Sequence, residues 1–434
     1  MKTLPLLFVV LILLSCEKKK DNTTTATTNN TTTPQTNTIV WQKCFGGSQI
    51  DVPTAMIKTS DGNFVFVGHT QSTDGNLSGQ GVQNADGLLV KIDSMGNILL
   101  NKTYGGIGVD RFENISQTSD GGYIVTGITN SQDGDIIPHA LSYTGWIMRL
   151  DNTGAIIWQK YFESSVFTVT QTADGGFITG YSGCSIAGQT GKVSVIKLDN
   201  GGNTQWEKCY SNIGNSGGVR SIIQLTDGGF CIVGATNFGN QSTSSCYGGD
   251  QDGFAIRTDI NGTVLWEKCF GGTDAITIPS TSDRIDDVIE TSDGGMILVG
   301  VAGSTDGNVV GNHSSDDFWL IKLDATGSIQ WQKCYGGTEN EFVGDFKKTQ
   351  DGGYIIVGYT MSSNGDVSGY SGNADMWVVK TDNLGNLAWQ KCLGVSTSDG
   401  GYGVAENSSG FIICGTGGGC QLGNSDIWIV KINP

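Results

Sequence analysis

Seven copies of a four-strand unit predict an all-β, seven-bladed β-propeller, and three motifs carry that expectation. The first is a tight turn: DGNF at Asp61, DGGY at Asp120, DGGF at Asp174 and Asp227, DGGM at Asp293, DGGY at Asp351, and a degenerate SSGF from Ser408. The second is an apolar run ending in a base, begun at Asp86, Trp146, Ser194, Asp252, Asp317, Asp375 and Asp426. The third is a WQK-like run, with its Trp or equivalent at Trp41, Leu100, Trp158, Trp206, Trp266, Trp331 and Trp389. A fixed period of this kind marks a propeller or a solenoid. All three motifs agree on the number seven.

Each repeat reads as strands a to d. In the sixth, FVGDFKKTQ is strand a, DGG a turn, YIIVGYT strand b, DMWVVKTD strand c, NLGN a second turn and LAWQKCLG strand d. β-branched and aromatic residues fill the strands, while Gly, Asn and Asp fill the turns. The ends choose between ring and solenoid. The chain opens on a lone strand d from Ile39 and finishes on a lone strand c, IWIVKINP. Joining them completes the last blade, so the N-terminal strand should close the ring and hide its sheet edges.

Residues 1–15 read as a lipoprotein signal peptide. Met1-Lys2 supplies a positive start, and Leu4 to Leu14 is apolar apart from Pro5. That stretch is too short to span a bilayer as a mature helix. Leu13-Leu14-Ser15-Cys16 follows and resembles a lipobox, which implies cleavage before Cys16 and acylation of its thiol. Residues 16–37 are Thr- and Asn-rich with no apolar periodicity, a disordered tether. Fully extended, such a tether reaches about 70 Å. Residues 38–434 form the propeller. The expected location is a Gram-negative envelope, as an outer-membrane lipoprotein that is surface-exposed or periplasmic and meets the membrane through lipid only.

Composition narrows the partners. The chain has 66 Gly, 6 Pro and a net charge of −17. Such a charge repels phosphate backbones, so no nucleic acid is expected. An envelope or extracellular protein or glycan is the expected partner.

The c–d hairpin, as in VIKLDNGGNTQWEK or LIKLDATGSIQWQK, resembles the pyrroloquinoline-quinone-type propeller repeat and, in layout, the kelch repeat. That resemblance implies blades with strand a innermost and strand d outermost. It selects no function, because such propellers serve as enzymes, scaffolds and adhesion modules.

Strands alternate in direction, so the d–a and b–c loops share one face. The b–c loops are long and variable, and variable loops on a rigid scaffold are where binding concentrates. Asp51, Asp110, Asp283 and Glu341 take matching places at the start of strand a, near the central channel. Asp74, Asp133, Asp306 and Asp366 lie in b–c loops beside Gly. With strand-c acids such as Asp86 and Asp317, these residues predict a negative loop face and a candidate ligand or cation surface. Calcium is the candidate cation, since it takes six to eight oxygen ligands. Turn chemistry alone also explains Asp beside Gly.

Catalytic signals are sparse. Gly214-Asn215-Ser216-Gly217-Gly218 matches GxSxG but sits in a d–a loop rather than a strand-turn-helix elbow. The first functional expectation is therefore a non-enzymatic binding or scaffold lipoprotein. The alternative is a polysaccharide-active hydrolase or lyase using the channel-mouth carboxylates. The Trp residues of the WQK-like runs read as packing wedges between blades. Cys44, Cys209, Cys269, Cys334 and Cys392 share one place on strand d. They read chiefly as small buried residues, with Cys184–Cys209 and Cys414–Cys44 as the sterically reasonable bridges.

Overall fold

The structure is a computed structural model. It describes residues 38–433, apart from 78–83, 140–143, 185–192, 211–215, 238–245, 248–250, 274–281, 396, 418, 421 and 423–424. Cys16, the signal peptide and the tether lie outside the described residues.

Seven four-stranded antiparallel sheets form the propeller. Blade 1 comprises Asp51–Lys58, Phe64–Thr70, Asp86–Ile92 and Ile98–Tyr104 as strands a to d. Blade 7 takes strands a to c from Gly400–Asn407, Gly410–Thr416 and Ile427–Ile432, and strand d from Ile39–Phe45 at the other end of the chain. Trp41 pairs with Lys431 and Phe45 with Ile427, so the predicted closure is observed. The inner strands follow one another around a closed ring, blade 7 meeting both blade 6 and blade 1.

Strands b and c are nearly continuous apolar runs because both of their faces are covered. Phe64, Phe66, Leu88 and Val90 are fully buried in blade 1. They pack with Met56, Ile412 and Ile429, which binds blade 1 to blade 7. Strand d is half exposed, as expected of an outermost strand.

The repeated motifs have mechanical explanations. Each turn Asp in blades 1 to 6 pairs with the base that ends strand c, as in Arg149–Asp120 at 2.6 Å and Lys380–Asp351 at 2.8 Å. The Gln of WQK accepts from the indole of a strand-c Trp: Trp146 to Gln159 at 3.0 Å and Trp377 to Gln390 at 2.8 Å. The strand-d Trp covers the c–d turn of the next blade. Trp158 Nε1 donates to the Asn200 carbonyl at 3.0 Å, and a Cβ on Gly202 would stand 3.0 Å from the Trp158 ring. Gly202 also holds φ = 82°, which favours glycine. These indoles are the expected wedges between blades.

The cysteines correct the sequence expectation. Cys184–Cys209, Cys246–Cys269 and Cys44–Cys420 are disulfides. Each ties strand d to the b–c loop of its own blade. Cys414 is not the partner of Cys44, because it lies on strand b, buried in the core. Blade 2 makes the same tie without sulfur: Tyr161 Oη accepts from the Ile137 amide at 2.9 Å. Of the five strand-d cysteines read as small buried residues, Cys44, Cys209 and Cys269 are bridged, and only Cys334 and Cys392 are free, both half-buried.

Candidate functional site

Strand a slips by one residue against strand b in every blade. In blade 1 Pro53 pairs with Gly68 and Ala55 with Val67, leaving Thr54 unpaired in the ladder. The equivalent extra residues are Glu113, Phe167, Arg220, Asp286, Gly344 and Tyr402. A β-bulge re-aims the extra side chain and is common beside functional sites. All seven residues line one cavity of about 250 Å³. Identical backbone geometry thus presents Thr, Glu, Phe, Arg, Asp, Gly and Tyr around a common centre.

The ring carries both signs of charge. Arg111 pairs with Glu113 at 3.2 Å, and Arg284 with Asp286 at 3.0 Å. Lys347 pairs with Asp345 on the cavity wall. Burial opposes the charge of Lys347, but Asp345 and Asp287 more than offset it and hold its pKa above the usual value. Burial pushes Asp287 up, against Lys347 and the Ser221 hydroxyl, which donates at 2.6 Å. Burial also raises Glu113, opposed by Arg111 and Arg220. The Arg220 guanidinium lies 5.4 Å over the Phe167 ring. These inner-strand cations belong to none of the three repeated motifs.

The sequence-predicted acids sit elsewhere. Asp51, Asp110, Asp283 and Glu341 are 0% exposed, and none lines the cavity. Each is caged at the corner where strand d of one blade passes into strand a of the next. Asp110 accepts from the Gly106 amide at 2.9 Å and Ser131 Oγ at 2.6 Å, and also from the Thr129 hydroxyl. Asp51 uses Gly47, Ser72 and Thr70 in the same way. Glu341 reaches Gly337 and Thr360 with its longer side chain. Asp283 binds Gly272, Gly303 and Ser304. Burial raises the pKa of Asp51, Asp283 and Glu341, and these donors oppose it.

The loop acids clamp the same corners from outside. Asp74 accepts from the Ser48 amide at 2.7 Å, Asp133 from Ile107 at 2.8 Å and Asp306 from Thr273 at 2.7 Å. In blade 6 the equivalent residue is Asn364, which accepts from Thr338 at 2.9 Å. Asp366 holds a different place two residues on, accepting from the Gly336 amide at 3.3 Å. Loop acids and strand-a acids therefore share corners, four of which recur in blades 1, 2, 5 and 6.

A second carboxylate presses on most corners. A Cβ on Gly105 would stand 2.6 Å from both Asp86 Oδ1 and Asp110 Oδ2. Burial first, then Asp110 and Asp135, pushes Asp86 up to about 7. Among the described residues, no three His, Cys, Asp or Glu side chains stand together as a metal-binding group. Of the GxSxG segment, Gly214 and Asn215 lie outside the described residues, and Ser216 opens strand a of blade 4 opposite Asn237.

Sequence reasoning missed the bulge ring. A bulge belongs to the pairing of two strands, not to either alone. One signal was present: this place before the turn varies in every repeat while the residue two places on, from Met56 in blade 1 to Val404 in blade 7, is always apolar.

No protein-family profile matches the chain, and no curated protein is similar to it. Solved structures are similar in fold. A streptogramin B lyase structure is 13% identical, with TM-score 0.50, over 91% of this chain and 98% of that one. The propeller domain of the Trilobed protease from Pyrococcus furiosus, described as having an open velcro topology, is 9% identical, with TM-score 0.44, over 89% and 94%. A Bacteroides caccae protein of unknown function is 12% identical, with TM-score 0.38, over 68% and 93%. The chain is a seven-bladed β-propeller, a fold suited to a binding or scaffold module.

Proposed function

We propose that this chain is a lipid-anchored binding protein of a Gram-negative envelope that takes part of a protein or glycan partner into its central channel. One observation carries the reading: seven equivalent bulges present six different side chains and one glycine around a cavity of about 250 Å³. A purely structural ring has no need of such variety. Concave sites with a few convergent polar groups are the usual form of a ligand pocket. The anchor rests on Leu13-Leu14-Ser15-Cys16, and the tether holds the propeller off the lipid surface. The hydrolase or lyase alternative requires carboxylates that reach a substrate. Asp51, Asp110, Asp283 and Glu341 expose no surface and spend their oxygens on their own corners. The neighbouring amides of Ser48, Ile107 and Thr273 each engage an oxygen of Asp74, Asp133 and Asp306, loop acids on which the calcium reading relied.

The test is a thermal-shift screen of residues 38–434 against neutral and charged monosaccharides, oligosaccharides and amino acids. A ligand at about 100 times its Kd adds about 2.7 kcal/mol to stability. Hits abolished by Tyr402→Ala support the channel. Hits that survive this change, or no hits at all, overturn it. Mass spectrometry of the mature chain should find acyl groups on Cys16, and an unmodified Cys16 removes the anchor.

A further inference from the structure

We infer that the channel recognises an acidic sugar, with Arg220 as the receptor for its carboxylate. The inference rests on the channel reading above and names its ligand class.

Three carboxylates of the ring and its wall have an ion-pair partner, Asp287 accepts from the Ser221 hydroxyl instead, and Arg220 is the cation left over. Glu113 has Arg111, Asp286 has Arg284 and Asp345 has Lys347. Arg220 is exposed and has no carboxylate within ion-pair distance among the described residues. Its position is nonetheless fixed. The bulge between Val219 and Ser221 aims it at the cavity, and its guanidinium lies over Phe167. A guanidinium held over a ring keeps its edge N–H groups available, in the fork that matches a carboxylate.

The rest of the ring fits hydroxyl groups. Glu113, two blades before Arg220, and Asp286, one blade after it, are acceptors, and both line the cavity. Across a ring of seven, blade 4 faces blades 7 and 1, which carry the hydroxyls of Tyr402 and Thr54. Thr54 already donates to the Phe112 carbonyl at 2.9 Å, whereas Tyr402 makes no hydrogen bond among the described residues. Arg220 as the one cation without an ion pair, the carboxylates Glu113, Asp286, Asp287 and Asp345 as acceptors, and a phenol around about 250 Å³ suit one hydroxylated ring that carries a single carboxylate to meet Arg220. A free hexuronate and the terminal residue of a polyuronate share that chemistry. The net charge of −17 repels anions in general, so any such affinity must come from a local contact.

The experiment is calorimetric titration of residues 38–434 with galacturonate, tri-galacturonate and galactose. Wild type should bind the acids and prefer them to galactose. Arg220→Met should weaken the acids by about tenfold or more and remove their preference over galactose, as loss of a charge-assisted hydrogen bond predicts. Arg220→Lys should fall between, because it keeps the charge and loses the fork. Tighter binding of the trimer identifies a polymer end, and equal binding identifies the free sugar. Acid binding unchanged in Arg220→Met overturns the assignment, even if Tyr402→Ala still abolishes binding and so preserves the channel. Galactose bound as well as galacturonate also overturns the acidic class while leaving the channel in place. No binding of any probe, with other hits in the thermal screen, rejects the acidic sugar alone.

Discussion

The corners between blades and the ring around the channel use the same kinds of residue to opposite ends. At the corners, Asp51, Asp110, Asp283 and Glu341 repeat one geometry and are fully buried. At the ring, Thr54, Glu113, Phe167, Arg220, Asp286, Gly344 and Tyr402 share a backbone and differ in chemistry. Repetition marks what every blade needs in order to fold. Variation at a repeated place marks what the assembled ring presents. Acidic residues look alike in sequence, but the number of donors each has already met separates the two roles.

The largest effect should come from a corner. Asp110→Ala strands the Thr129 and Ser131 hydroxyls and the Gly106 amide in the interior. Unsatisfied buried donors predict a loss of about 3 kcal/mol or more in chemical denaturation. A loss below about 1 kcal/mol would return Asp110 to the functional candidates. Tyr402→Ala, by contrast, should cost little stability and abolish binding.

Ring closure should come next. Cys44–Cys420 joins the N-terminal strand to the loop of the last blade across a separation of 376 residues. Cys44→Ser should lower stability by about 2–5 kcal/mol in denaturant titration, the usual cost of a native disulfide. An unchanged midpoint means that strand pairing alone closes the ring.

Acidity offers a smaller effect of definite sign. Asp86 is held up to about 7, first by burial and then by Asp110 and Asp135. A carboxyl raised in the folded state binds more protons folded than unfolded, from the ordinary carboxylate range up to about pH 7. Stability should therefore fall as pH rises through that window and level off above it. Burial also raises Asp317, opposed by its hydrogen bonds to His313. Asp86→Asn should flatten the fall in melting temperature between about pH 5 and about pH 8. A wild-type curve that rises over this range contradicts the buried-pair account.

The smallest effect belongs to the turns. The Thr118 hydroxyl first, then the Gly122 amide and Arg149, hold the Asp120 carboxyl down to about 2. Asp120 is 65% exposed, so solvent screens the pair. Asp120→Asn should cost no more than about 1 kcal/mol, and only above the ordinary carboxylate range.

The sequence made the fold legible because its evidence is local. Asp-Gly turns, apolar runs and the WQK runs each repeat within one strand or turn. Ring closure followed from Ile39 and Ile427 lying at opposite ends of the chain. Side-chain partners were less legible. Cys184–Cys209 was foreseen as a bridge, but Cys420 was not matched to Cys44, because loop length alone does not say which residue lies over strand d. Asp51 and its equivalents were placed correctly at the start of strand a. Their burial depended on Thr129 and Ser131 or their counterparts folding back over them, a contact no motif announces. The ring escaped because bulges arise only when two strands pair.

The most direct measurement is a crystal structure of residues 38–434 with a ligand from the thermal screen. The ligand should lie in the channel, within hydrogen-bond distance of Arg220 or Tyr402, with the corner carboxylates unmoved. A ligand on the b–c loops, with the channel empty, would contradict the separation of scaffold from site.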